Sequence, residues 1–145
     1  MNKFLLGIVA IAFIACNKLD VVTTPDSADF IGTVSVWYEE SWFNNENIGV
    51  RYSPAEDGTS ATITIFKIRF VPKMPVRVDV AVPDIRLTMS DGVAHLDCDY
   101  VIPLALGGEY PKYTVTDFSG TQKGDELEFS LNFGIYPTVF RGVKQ

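Results

Sequence analysis

Apolar and polar side chains alternate with a period of two along most of this chain. Val34, Val36 and Tyr38 share a phase against Thr33, Ser35 and Trp37, and Leu127, Phe129, Leu131 and Phe133 share one against Glu126, Glu128, Ser130 and Asn132. This period is that of a strand with one face buried, because successive side chains of a pleated strand point to opposite sides. The same pattern predicts strands over 48–53, 60–70, 76–82, 85–89, 93–100, 113–120 and 136–143. The apolar phase moves from Ile63 and Ile65 to Phe66, Ile68 and Phe70, and again after Pro83-Asp84 to Ile85, Leu87 and Met89. A phase change within one run predicts a β-bulge or a bend. Asn44-Asn45-Glu46-Asn47, Pro54 to Gly58, Asp91-Gly92 and Gly120 to Asp125 read as turns, and 103–111 as a long loop. No segment holds helical spacing.

Strands with one apolar face must hide it by stacking or by curling into a barrel. Short hairpin-like connections favour an all-β, up-and-down antiparallel β-barrel of about eight strands, occupying residues 30–145. A barrel of that size is either just filled by its own side chains or holds one small ligand.

The first residues follow a different rule. Lys3 precedes an apolar run from Phe4 to Ala15, which ends at Cys16. A charged start, about a dozen apolar residues and a small residue before the cut describe a secretory signal over 1–15, too short for the roughly 20 residues of a membrane helix. Phe13-Ile14-Ala15-Cys16 has the form of a bacterial lipobox, with Phe13 where leucine is usual, so Cys16 is the expected site of lipidation. Residues 16–29, which include Thr23-Thr24-Pro25-Asp26-Ser27, read as a flexible tether. The expected location is the cell envelope, with Asn17 after the cysteine favouring the outer membrane.

Composition narrows the functional classes. The chain has 12 Lys+Arg against 18 Asp+Glu, and removal of 1–15 takes away only Lys3. An acidic surface without a basic run argues against nucleic acid, whose phosphates are held by clustered Lys and Arg. One histidine and two cysteines leave little for chemistry. His95, Asp97 and Asp99 share a strand face but spread over roughly 13 Å, too far for one ion without help. They read as a solvated face, with Leu96, Cys98 and Tyr100 toward the core. Cys98, with Cys16 committed to lipid, is expected to be a buried free thiol. Glu39-Glu40 read as strand neighbours on opposite faces, unable to act as an acid–base pair. With no Gly-x-Ser-x-Gly elbow and no nucleophile–base set, neither an enzyme nor a cofactor or metal is expected.

Aromatic residues carry the binding candidates. Phe66, Phe70, Phe129 and Phe133 lie on apolar phases and are assigned to the core. Trp37 lies opposite in phase to Val34 and Val36, and Trp42 sits beside the Asn-rich segment. Both are candidate ligand-binding residues, since rings at a strand face or loop mouth stack on sugars or anchor proteins. Phase alone leaves open the alternative in which Trp37 fills the barrel and the valines face out.

Four segments carry a resemblance: Phe30-Ile31-Gly32-Thr33; Val80-Ala81-Val82-Pro83-Asp84-Ile85; Tyr113 to Thr121 with Gly124 to Phe129; and Phe140-Arg141-Gly142. Together they resemble the calycin-like β-barrel lipoproteins of Bacteroidetes. That resemblance implies a small antiparallel barrel behind a lipobox, with a calycin-type interior cavity. Val34 stands where lipocalins carry a tryptophan, while Arg141 suits that tryptophan's usual partner. Two readings of function follow: a lipid-anchored module holding a small apolar ligand in the barrel, or an interaction lipoprotein whose packed barrel meets a protein or glycan through loops and rim aromatics.

Overall fold

A computed structural model describes residues 28–145. The proposed signal segment, Cys16 and the tether up to residue 27 lie outside the described residues. The strands are β1 (Ala28–Tyr38), β2 (Ser41–Pro54), β3 (Ser60–Ile68), β4 (Val78–Ser90), β5 (Val93–Val101), β6 (Leu104–Ala105), β7 (Gly108–Glu109), β8 (Val115–Lys123), β9 (Glu126–Phe133) and β10 (Tyr136–Lys144). Eight of them pair antiparallel in the cyclic order β1-β2-β3-β4-β5-β8-β9-β10 and back to β1. The result is a closed up-and-down barrel. The short β6–β7 hairpin hangs from β4 through Val80↔Ala105 and Ala81↔Leu104.

Closure brings the ends of the sequence together. Gly32 pairs with Gly142 and Val34 with Phe140. The two glycines are required by the approach: a Cβ on Gly32 would lie 2.0 Å from the Arg141 carbonyl oxygen and 2.5 Å from the Gly142 Cα. No side chain fits there, and the sheet bends tightly enough to close.

Four register shifts produce the remaining curvature. Each places one extra residue opposite the partner strand, and each coincides with a non-glycine residue in the left-handed region: Asn47 (φ 58), Lys67 (φ 57), Asp84 (φ 59) and Asp117 (φ 55). The phase changes near Phe66 and after Pro83 are therefore bulges, at Lys67 and Asp84, and residues 78–90 form one continuous strand. At Lys67 the bulge lets both Ile65 and Ile68 point inward. Phe66 is consequently not core as its phase implied: it lies half-buried outside, with the Arg51 guanidinium 5.4 Å over its ring. Val76 and Met89 are likewise exposed despite their phase, as is Tyr100, which was expected to face the core.

Other expectations are corrected by the ladder. Asn44 to Asn47 is not a turn but the middle of a 14-residue strand. The chain reverses instead at Glu39-Glu40, both with positive φ (49 and 65), the conformation of a two-residue hairpin turn. These glutamates are in a turn, not in a strand. β1 begins at Ala28, so the last two residues assigned to the tether are already paired, and Asp29 binds Arg51 at 2.9 Å. Gly124-Asp125 alone turns β8 into β9, and residues 103–111 contain the β6–β7 hairpin before a 3-10 turn at Pro111–Tyr113.

Inward side chains fill the barrel. Phe118, Phe129 and Phe140 stack across β8, β9 and β10 with centroids 5.1 and 5.2 Å apart, and Ile63, Ile65, Val80, Leu96 and Leu127 face them, all buried. One end is capped by aromatics: Phe70 stacks on Tyr113 at 4.1 Å and meets Phe133 edge-on at 5.0 Å. Besides Thr138, whose hydroxyl donates locally to the Tyr136 carbonyl, Asn45 is the buried polar residue of the described core. Its amide donates to the carbonyls of Arg69 (3.0 Å) and Val34 (3.4 Å), and its carbonyl accepts from the Arg69 N–H (3.0 Å). The side chain thus serves as a strand partner for residue 69, just beyond the end of β3.

Replacing Asn45 with alanine strands those buried backbone groups, each lost partner costing about 1–3 kcal/mol. Urea denaturation should show Asn45→Ala less stable by about 2–4 kcal/mol. A loss below about 0.5 kcal/mol would contradict this role.

Candidate functional site

The barrel wall has one face whose side chains carry chemistry that folding does not use. Because Val34 and Val36 point inward, Ser35 and Trp37 must point outward, and the β1–β2 register sets Trp37 opposite Trp42 and Ser35 opposite Asn44. Both sequence candidates therefore meet on the exterior, at the β1–β2 hairpin end. The alternative in which Trp37 fills the barrel is excluded: Trp37 is 39% and Trp42 49% exposed. Their rings meet edge-on at 5.2 Å with an interplanar angle of 69°. Each ring holds the other's orientation while leaving a face open to solvent.

Beside Trp42 lies a shallow groove of about 350 Å³, lined by Thr33, Ser35, Asn44, Val139 and Arg141. Ser35 Oγ donates to Asn44 Oδ1 at 2.7 Å. Val139 and Arg141 also border a second depression of about 540 Å³ that includes Ser119, Thr121, Ser130, Glu128, His95 and Asp97. Val139 and Arg141 stand between the two depressions. Sequence reading found the tryptophans but not the groove, because its walls come from strands distant in the chain and only register assembles them.

The charged residues here are matched. Asp97 accepts from Arg86 Nε at 2.7 Å, which with the neighbouring charge raises the guanidinium's affinity for its proton, and Glu128 lies 3.8 Å from Arg141 Nε. Asp97 is thus engaged in an ion pair, and no cluster of three or more metal-ligating side chains exists among the described residues. Arg141 is exposed and faces Glu128 and Thr33, so it packs over no tryptophan at a barrel end.

Outward positions across the wall carry Arg51, Arg86, Glu128 and Arg141, all exposed. A barrel crossing a bilayer needs an outward apolar band about 25 Å tall, and this wall has charges at mid-strand instead.

A third opening of about 330 Å³ lies at the barrel end opposite the aromatic cap. Phe30, Tyr52, Leu87 and Ala94 form its floor, with Glu56, Gln122 and Lys144 around it. Beneath the aromatic cap, Phe70, Met74, Val78, Leu106 and Tyr113 enclose only about 20 Å³. The larger openings described lie at the mouth and on the wall.

Cys98 is a free, half-buried thiol packed against the core. Burial pushes it above the ordinary cysteine range, opposed by a backbone hydrogen bond at Tyr100 and reinforced by Asp99, Asp97 and Asp84. The thiolate is the nucleophile, so this group is held in its unreactive form.

Comparison with protein-family models, with curated proteins and with solved structures returns no match to this chain.

At pH 8, where an ordinary cysteine with a pKa near 8.5 is partly ionised, Cys98 should be alkylated by iodoacetamide more slowly than glutathione. Mass mapping of the peptide containing residues 93–101 measures the rate. Equal rates would contradict an unreactive thiol.

Proposed function

We propose that this protein is a lipid-anchored cell-envelope module whose barrel is a packed scaffold and which meets its partner on the outer wall through Trp37 and Trp42. One observation carries the reading: an interlocked indole pair stands exposed on a barrel whose waist is filled with stacked phenylalanines. Large amphipathic rings left exposed in a fold able to bury them are most economically explained by a partner. The anchor is the lipidated Cys16 of the proposed calycin-like lipoprotein, which supports retention at a membrane although the barrel wall itself suits water.

A second reading, a small apolar ligand, is favoured by the apolar floor of the mouth at Phe30, Tyr52 and Leu87. There the ligand would sit at the rim rather than at the waist.

Two experiments test these proposals. Expressed in a lipoprotein-processing bacterium, the chain should partition into the detergent phase of a cloud-point extraction, and Cys16→Ser should move it to the aqueous phase. Unchanged partition would remove the anchor. A photo-crosslinking amino acid placed at position 42 should form adducts in intact cells, whereas the same group at position 89, on the mouth, should form none. Adducts from 89 alone would favour the second reading.

A further inference from the structure

We propose that the groove beside Trp42 binds a neutral oligosaccharide, with the indole stacking on one sugar ring and Ser35, Asn44 and Arg141 hydrogen-bonding its hydroxyls. The assignment rests on the outer-wall reading above and names the class of partner.

The lining selects this chemistry. Of the six groove residues, only Trp42 and Val139 are apolar; the others present two hydroxyls, an amide and a guanidinium. A protein-docking patch would instead have an apolar centre depleted of such groups. A sugar ring offers both an apolar C–H face for an aromatic ring and a girdle of hydroxyls that donate and accept. The groove offers the complement of each. Asn44 is oriented by the Ser35 hydroxyl bound to its Oδ1, which leaves its two Nδ2 hydrogens for a ligand acceptor. Arg141 faces Glu128 at 3.8 Å, and its planar fork of donors suits adjacent ring hydroxyls.

Charge excludes the nearest competitor. An anionic ligand would need a surplus of cations, but Arg141 is matched by Glu128, Arg86 by Asp97, and the chain carries a formal net charge of −6. A neutral ligand meets no such opposition.

The register gives the length. Asn44, Ser35, Val139, Ser130 and Ser119 lie side by side on β2, β1, β10, β9 and β8. These short side chains form a floor that runs from Trp42 into the second depression, shared at Val139 and Arg141. From β2 to β9 is three strand spacings, about 14 Å, the reach of about three linked pyranose rings. Trp37 does not line the groove; it is a positioning residue that holds the Trp42 ring edge-on.

Trp37 and Trp42 are the two tryptophans of the chain, so intrinsic fluorescence reports on this patch. The full chain in detergent would be titrated with linear gluco-, xylo- and chito-oligosaccharides of three to five rings, with calorimetry in parallel. At least one series should change the emission and saturate. Trp42→Ala should weaken it at least about tenfold, and Trp42→Phe should keep it within about threefold, since a π-face persists. Trp42→Leu should bind as poorly as the alanine variant, and Trp37→Ala should weaken it by an intermediate factor. Thermal melts should fall by no more than a few degrees in any of the four variants, because what each loses is the contact between two partly exposed rings. No saccharide response up to millimolar concentration, or full binding by Trp42→Leu, would overturn the proposal. If saccharides fail while position 42 still crosslinks to protein in cells, the outer-wall reading stands and the saccharide assignment falls; if both fail, both fall.

Discussion

Everything in this molecule depends on the pairing of its first and last strands. An eight-stranded sheet with one apolar face has two exposed edges until β1 meets β10, and that seam includes the Gly32–Gly142 contact, where a single methyl group would sit 2.0 Å from a carbonyl oxygen. Closure removes the edges that would otherwise recruit another chain. It also fixes which side of every strand is interior, because the inward Val34 and Phe140 are partners across the same seam. Once that face is chosen, the outward row follows without further freedom.

What the interior does decides where function can reside. With Phe118, Phe129 and Phe140 stacked across three neighbouring strands, the waist is a packed core, not a binding chamber. An eight-stranded barrel is the size at which these two outcomes compete, and in this chain large inward side chains settle it at the waist. Specificity is then left to the rims and the wall. The aromatic cap closes one rim through Phe70, Tyr113 and Phe133, leaving the mouth and the Trp42 groove.

The strand pattern was legible wherever alternation was strict. β9 matches its expected phase residue by residue: Leu127, Phe129, Leu131 and Phe133 are buried and their neighbours are not. The reading broke where local composition and long-range pairing disagree. Asn44 to Asn47 has turn composition, yet Asn45 uses its side chain to complete backbone hydrogen bonds from a segment 24 residues away, and Asn47 takes the left-handed conformation that a bulge needs. Glu39 and Glu40 adopt positive φ without being glycine, so nothing in their identity announced the turn. Phe66 was misplaced by one bulge residue. The groove was illegible for a related reason: periodicity gives a strand's two faces but neither which is inside nor which strands are neighbours.

Chain direction adds a last constraint that joins anchor, mouth and groove. β1 starts at Ala28 beside the mouth and ends at Tyr38 beside the tryptophans, so roughly 30 Å of strand separates the tether's end from Trp37. The proposed anchor at Cys16 would join the barrel at the mouth end, where β1 begins, and the indole pair lies at the opposite end. The two binding readings thus differ in the end of the barrel they use as well as in the residues: the mouth lies where β1 begins, and the exposed tryptophans lie where it ends.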